Sequence, residues 1–398
     1  MTGPLKGIKV VELAQIMAGP TCGLMLADLG ADVIKVEKLP GGDDSRSYRQ
    51  HTIDGESPPF LMLNRNKLGI AVNLKVEGGL AVVKRLLADA DVVIENYRLG
   101  TLDKLGLGYD VLAALNPRLI YCAISGYGRT GPDADKGGFD LIAQGVAGLM
   151  SVTGLPGGEP VKTGPPVADI NAGILAALGV VSALVSRGVT GRGQMVDTSL
   201  LEAAVQQTYW HSALFFATGV NPQASGSSHV LTAPYQAFPT KDGWINIGGA
   251  NQANWERIAT VIGLPKLVTD PRFATNADRM AHKQELAALI AARTRTRSSA
   301  DWILNLEASG VPVGPINQIG EMLADPQVAA REMVLEVNHP RSGKTKTLGL
   351  PIKFSATPGS VRSGAPRLGQ HTRGVLLSLG YSEREIAALE KSGAVACG

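Results

Sequence analysis

The chain has 398 residues, with 38 Lys and Arg against 35 Asp and Glu and a net charge of +3; it lacks the basic footprint of a nucleic-acid-binding protein and is long enough for roughly two to three domains around a sizeable core. Three cysteines (Cys22, Cys122, Cys397) and six histidines show no metal-site or redox spacing, which argues against metal catalysis. The stretch from Met1 to Lys6 carries no secretory or transit pattern, and the longest apolar run, Ile174–Val185, is too short to span a bilayer, so a reducing cytoplasm and no membrane partner are expected.

Lys9–Leu13 reads as a short buried strand. Ala18-Gly19-Pro20 reads as a turn, with Pro20 suited to start a helix over Thr21–Leu29. Ala31–Glu37 is the next strand, and a strand–helix–strand of this length is a βαβ unit that predicts a parallel sheet. A helix over Gly79–Ala88 and strands over Asp91–Glu95 and Leu119–Ile124 continue the pattern into a Rossmann-like open sheet. A dinucleotide site is not expected. Ala18-Gly19-Pro20-Thr21-Cys22-Gly23 stands where G-x-G-x-x-G belongs, and Pro20 removes an N–H that a pyrophosphate would need. Glu37 ends the second strand as a ribose-binding acid would, but acidic residues often end strands.

Asp169 lies in Gly164-Pro165-Pro166-Val167-Ala168-Asp169-Ile170-Asn171-Ala172-Gly173, ahead of the apolar run. Seen alone, such a carboxylate is more often a helix N-cap, accepting from the free N–H groups of the first turn. Some details favour a nucleophile instead. Ala172 and Gly173 leave room for a ligand, the Pro and Gly residues present the carboxylate from a stiff loop, and a helix N-terminus would keep it ionised. An ionised, reachable carboxylate can form a covalent acyl intermediate.

Beyond it come a helix over Ile170–Ser186, a Gly-rich hairpin or loop at Gly188–Gln194, a strand over Met195–Ser199 and a helix over Leu200–Thr218. Asn221–Thr232 reads as a boundary or mobile loop. Pro234–Phe238 and Trp244–Gly248, joined by Lys241-Asp242-Gly243, read as a β-hairpin, followed by helices over Gln252–Ile262, His282–Arg293 and Ser298–Ser309. Strand-like text returns at Glu336–Val337, Thr347–Leu348 and Ile352–Phe354 before a terminal helix, Glu383–Ser392. The expected class is α/β: a large Rossmann-like domain over 1–200 completed by 335–398, a smaller α+β domain over 230–325, and connectors over 201–229 and 326–334.

An ordered set of short segments resembles the class III CoA-transferases along the whole chain. They include Leu5-Lys6-Gly7-Ile8-Lys9-Val10, Leu29-Gly30-Ala31-Asp32-Val33-Ile34-Lys35-Val36-Glu37, Gly42-Asp43-Asp44-Ser45-Arg46 and Asn64-Arg65-Asn66-Lys67. Glu95-Asn96-Tyr97-Arg98, Gly126-Tyr127-Gly128, Thr190-Gly191-Arg192-Gly193-Gln194, Pro234-Tyr235-Gln236-Ala237-Phe238, Gly310–Pro315 and Leu368-Gly369-Gln370-His371-Thr372 complete it. No single piece is decisive; their order is specific. The resemblance implies that Asp169 is the nucleophile, working through an aspartyl–acyl anhydride and an aspartyl–CoA thioester. It implies no resident cofactor, coenzyme A thioester being a substrate, and an interlocked homodimer. It implies a CoA site at Met17, Ala18, Lys38, Lys75, Asn96, Tyr97, Arg98, Lys104, Lys136 and Asp140. Each Lys or Arg of that set, taken without the resemblance, reads as a solvated surface charge.

Within the resemblance, four stretches (Asn64–Lys67, Glu95–Tyr97, Ala233–Phe238 and Leu368–Thr372) look most like the dicarboxylate branch, which uses succinyl-CoA and acids such as glutarate. Met17 replaces the Gln that orients oxalate in oxalate-specific relatives. Arg46 and Arg65 are candidates for the distal carboxylate, since a planar guanidinium binds carboxylate at two points; the competing reading is that both are structural, paired with nearby acids. Gly226 and His229 are further substrate-binding candidates, with backbone N–H groups near Gly226-Ser227-Ser228 as oxyanion donors. Two alternatives stay open: an acyl-CoA racemase of the same fold, against which Gly138-Phe139-Asp140 stands where a Gly-His-Asp would supply a proton-transfer residue, and a non-catalytic CoA-binding scaffold.

Overall fold

Valines and isoleucines at positions 10, 11, 33, 36, 92, 93, 94, 120 and 124 are all buried, the continuous apolar text of parallel strands covered on both faces. In the computed structural model, which describes residues 3–398, they lie in β1 (Lys9–Glu12), β2 (Asp32–Lys38), β4 (Val92–Glu95) and β5 (Ile120–Ser125), which share a sheet with β3 (Lys67–Val72) and β6 (Met195–Ser199). Met1 and Thr2, part of the stretch read for targeting signals, lie outside the described residues. The sheet runs β3-β2-β1-β4-β5-β6, all parallel, with a short strand Val395–Ala396 antiparallel on the outer side of β3. Strand order reverses between β1 and β4.

Strand β3 escapes a reading by periodicity because it opens on Lys67 and contains Gly69. Both residues have tertiary reasons. Lys67 is buried against Glu12, 2.8 Å away, and a Cβ on Gly69 would stand 2.7 Å from Pro366. The His371-Thr372 pair of the family pattern caps this strand: Nδ1 of His371 accepts from the Gly69 N–H (3.0 Å) and Oγ1 of Thr372 from the Ala71 N–H (3.1 Å), satisfying donors that an edge leaves open.

Helix α1 (Ala18–Asp28) follows β1 and starts earlier than Pro20, which sits in the first turn where its missing N–H costs nothing. Helix α2 (Asp140–Val146) was not legible in the sequence. Helix α3 (Val167–Thr190) is 24 residues long. It absorbs the Gly188–Thr190 segment expected to be loop, and ends where Gly191 takes φ 73° as its C-cap. By length and composition it is apolar enough to cross a membrane, so the inference from the shorter run Ile174–Val185 does not hold for the whole helix. Its small-residue stripe, Ala168, Ala172, Ala176, Val180 and Ala183, is buried in the core shared with α1 and the sheet. The stretch expected as one helix over Leu200–Thr218 is two, α4 (Leu200–Gln206) and α5 (Tyr209–Thr218). Ile352–Phe354 forms no strand, whereas Val334–His339 and Gly343–Leu348 pair as an antiparallel hairpin.

The chain divides into two compact units. The first takes the residues up to Leu149, Lys162–Ala217 and Pro326–Gly398; the second takes Thr218–Asp325 and also Met150–Val161. In the second unit, β7 (Tyr235–Pro239), β8 (Trp244–Gly248) and β9 (Val313–Pro315) make an antiparallel sheet in sequence order. Phe238, Ile245, Ile247, Trp255, Ile290, Trp302 and Leu306 from these strands and the helices that follow form its own core.

Candidate active site

In an open parallel sheet the loops leaving two strands on either side of an order reversal diverge and leave a crevice at their carboxyl ends. Here the loops after β1, β4 and β5 enclose a cleft of about 350 Å³, within the range of small-molecule sites. Its wall is built from Gln15, Ile16, Met17 and Ala18 after β1, Asn96–Leu99 after β4, Ser125 and Gly126 at the end of β5, and Lys136–Phe139. Asp169 stands in it.

Asp169 is not the helix cap. Helix α3 begins at Val167 with Pro166 at the cap position, which puts Asp169 at the third residue of the first turn. The free N–H groups are served by Asp140: its Oδ1 accepts from the N–H of Ala168 (2.9 Å) and of Asp169 (3.5 Å). Oδ2 of Asp140 accepts from Gln144 (2.7 Å), whose own carbonyl accepts from the N–H and hydroxyl of Thr163 (2.9 and 3.1 Å). Asp140 therefore acts as a cap and brace for α3 and does not line the cleft, contrary to its expected CoA contact. The Asp169 carboxylate, released from capping, accepts no hydrogen bond among the described residues. Burial, and after it the neighbouring Asp140, push its pKa up to about 6. The ordinary acidity expected at a helix N-terminus is thus lost, though the group is still mostly ionised at neutral pH. The room expected at Gly173 is also taken: a Cβ there would lie 2.5 Å from the Ala18 carbonyl and 2.6 Å from Thr21, so the glycine serves the close packing of α1 on α3.

The loop after β1 is held from two sides. Asn96 grips Gln15 reciprocally, accepting its N–H (3.0 Å) and donating to its carbonyl (2.8 Å). The next residue, Ile16, has φ 68°, an outlier for a β-branched side chain, and its N–H donates to both carboxylate oxygens of Asp43 (3.1 and 3.3 Å). Asp43 is buried and receives Lys35 at 2.8 Å. Burial alone would raise Asp43, but Lys35 and Ser45 hold it down at about 2. On the opposite wall Gly126 and Gly138 touch backbone to backbone, since a Cβ on either would fall within 2.6 Å of the other's main chain. The bare Gly137 lets the Arg98 guanidinium lie against the loop, its Nη2 3.0 Å from where a Cβ would be. Arg98 is exposed and bonds no carboxylate among the described residues; Lys136 is exposed and salt-bridged to Asp133 at 2.7 Å.

Of the sequence candidates, the cleft brings together Met17, Ala18, Asn96, Tyr97, Arg98, Lys136 and Asp169. Lys38, Lys75 and Lys104 are exposed and do not line it; Lys38 pairs with Asp44 and reaches Gln15 at 3.3 Å. Arg46 and Arg65 are corrected to structural roles. Arg46 is buried on Glu37 through two bonds of 2.6 and 2.7 Å and on the Pro366 carbonyl at 2.9 Å. Arg65 is buried on Asp28, with Nη2 to Oδ2 at 2.6 Å. The remaining Nη1 of Arg46 faces Glu56 at 3.5 Å, so both guanidinium groups are already engaged by carboxylates of the chain. Gly226 and His229 belong to the second unit, and two of the N–H groups expected as oxyanion donors are occupied: Gly226 donates to Gly154 (2.8 Å) and Ser228 to Ser225 (3.1 Å). His229 accepts from the Leu231 N–H at 3.1 Å and stacks on Tyr235. Sequence reasoning gave no role to Gln15, Ile16, Thr101, Ser125 and Leu200, all at the cleft. Their signal was position, at or beyond the carboxyl ends of the strands, rather than residue type.

Comparison with known proteins agrees along the chain. The family model described as CoA-transferase family III matches residues 5–372. A succinate–glutarate CoA-transferase of Agrobacterium fabrum is 41% identical over 96% of this chain and 97% of its own length. An acyl-CoA transferase of Fusarium pseudograminearum is 40% identical over 99% and 88%. The crystal structure of a CAIB/BAIF family protein from Brucella suis superposes with a TM-score of 0.86 at 40% identity, covering 95% of this chain and all of that one.

Proposed function

We propose a reaction for this chain from one premise: it belongs to CoA-transferase family III and is an enzyme that passes coenzyme A from an acyl-CoA to a carboxylate. The single observation that carries the catalytic role is the Asp169 carboxylate, free of hydrogen bonds among the described residues and facing a cleft with Arg98 and Lys136 on its wall. In the proposed route an Asp169 oxygen attacks the donor thioester carbon; the C–S bond breaks, CoA leaves as thiolate and a mixed anhydride remains. The thiolate attacks the Asp169 carbonyl carbon, releases the donor acid and leaves an aspartyl–CoA thioester. The acceptor carboxylate displaces the thiolate from that carbon, and the thiolate then takes the acceptor's acyl carbon and frees Asp169. Every bond made replaces one broken and no oxidation state changes, so the proposed route needs no redox cofactor. Holding a weak nucleophile beside the thioester is worth an effective molarity of about 10⁵ M or more. Arg98 and Lys136 are the proposed cations for the anionic CoA.

The acceptor proposed is a short dicarboxylate, with succinyl-CoA as donor. The support is the succinate–glutarate relative and Met17 in the cleft wall; Arg46 and Arg65 no longer supply the distal cation. The decisive measurement is kcat/KM with succinyl-CoA against glutarate, itaconate, acetate and butyrate. A dicarboxylate is expected to lead by more than tenfold, and a lead by acetate or butyrate ends this assignment. A racemase would need a proton-transfer group where Phe139 stands at the cleft mouth, exposed and without acid–base chemistry.

The proposal includes an interlocked homodimer in the cytoplasm. The first unit exposes Leu178, Val185 and Val189 of α3 and Phe216 of α5, with Val189 87% and Phe216 84% accessible, apolar side chains of the kind a partner subunit covers. None of the three cysteines is in a disulfide, which suits a reducing compartment. Light scattering is expected to give twice the 41.6 kDa chain mass, unchanged on dilution; a stable, active monomer would contradict it.

A further inference from the structure

We propose that Asp43 is a positioning residue for the reaction, holding the strained Ile16 main chain so that Gln15, Ile16 and Met17 form the cleft wall. The inference rests on the transferase reading above. Asp43 does not line the cleft, and no substrate need touch it. Its link to the site is the pair of bonds from the Ile16 N–H to Oδ1 and Oδ2. Ile16 at φ 68° is one of four non-glycine residues with positive φ among the described ones. A β-branched side chain meets its own carbonyl in that region, so the conformation persists only where its surroundings impose it. The surroundings are unusually rigid. Asp43 is fixed by the Ser45 N–H (2.9 Å) and hydroxyl (2.7 Å) on Oδ1 and by Lys35 (2.8 Å) on Oδ2. Lys35, wholly buried, is itself fixed by Glu12 and the Ala14 carbonyl, each at 2.9 Å. The Asp43 N–H donates to Glu37 at 3.0 Å. On the other side Asn96 grips Gln15, so residues 15 and 16 are pinned between a buried carboxylate and a cleft amide. The strain is stored one residue before Met17, the position expected to govern which acceptor is taken.

The experiment is a double-mutant cycle on the full chain with Asp43→Ala and Ile16→Gly. Glycine takes positive φ without cost, so it removes the need for a clamp. With Ile at 16, Asp43→Ala is expected to lower kcat/KM at least tenfold, through both a raised KM for acyl-CoA and a lowered kcat. With Gly at 16 the same change is expected to cost less than threefold. The fall in melting temperature caused by Asp43→Ala should be similar in both backgrounds, because it comes from Lys35 losing a partner. An equal loss of kcat/KM in the two backgrounds overturns the proposal and leaves Asp43 a stabilising residue only. Should Asp43→Ala not fold, Asp43→Asn carries the same comparison, since an NH2 group then replaces one of the two oxygens that accept from the Ile16 N–H, and no negative charge faces Lys35. Wild-type turnover of succinyl-CoA tests the transferase reading separately. If there is none, the cycle is read in the Kd for coenzyme A by calorimetry, with the same threefold criterion.

Discussion

Asp169→Ala is expected to lower kcat/KM for CoA transfer by on the order of 10⁴-fold or more, about 5.5 kcal/mol of transition-state stabilisation. The size follows from the route: no other residue at the cleft offers a free carboxylate, so the change removes the covalent pathway instead of weakening it. Folding should be intact, because Asp140 rather than Asp169 caps helix α3. The variant's melting temperature at neutral pH should be no lower than that of the wild type. Burial and Asp140 hold the folded-state pKa at about 6, above the usual value of about 3.9 for an unfolded Asp. Ionised Asp169 therefore costs stability that is absent below the unfolded pKa and fully present above pH 6, and alanine removes that cost. The same value sets a pH profile. Wild-type kcat/KM should be level above pH 7 and fall tenfold per unit below about 6 as the nucleophile is protonated. Mass spectrometry of the wild type with acyl-CoA should find coenzyme A on the Asp169 peptide. Turnover within tenfold of wild type in the variant would falsify the assignment.

The second large effect concerns stability. Glu12, the last residue of β1, is fully buried between two lysines, with Oε1 2.9 Å from Lys35 and Oε2 2.8 Å from Lys67. Lys67 also donates to Asn64 and the Pro20 carbonyl, both at 2.9 Å. Burial pulls Lys67 down to about 8 in spite of Glu12, so the pair is finely balanced. Glu12→Gln leaves two buried ammonium groups with one carboxylate fewer, and removing one partner of a buried ion pair typically costs about 3–5 kcal/mol. Denaturant unfolding should show a loss of that size; a loss below about 1 kcal/mol would mean the cluster is not holding its charges. Gly23→Ala should strike the same point, since a Cβ there would stand 1.8 Å from Oε2 of Glu12. Both changes are expected to lower activity as well, because the cleft wall begins at Gln15, three residues after Glu12.

Periodicity and turn residues are local properties, and they determined the parallel sheet, most strand positions and the second unit's hairpin. Composition determined that no dinucleotide fingerprint or metal spacing exists, and the ordered family segments singled out Asp169. Local text could not reveal what needs a distant partner. Strand β3 looks unlike a strand until Lys67 meets Glu12 and Gly69 meets Pro366. Arg46 and Arg65 look like ligand-binding cations until Glu37 and Asp28, nine and 37 positions away, are found beneath them. Asp169 looks like a cap until Asp140, 29 positions earlier, takes the cap and leaves it free. Gly173, read as space for a ligand, is space for α1. The strained Ile16 carries no sequence mark at all, because its φ is imposed by Asp43 from another loop. The physical reason is common to the first four. A charge or a small residue declares a need for a neighbour, and only the tertiary structure decides whether that neighbour is a substrate or another part of the chain.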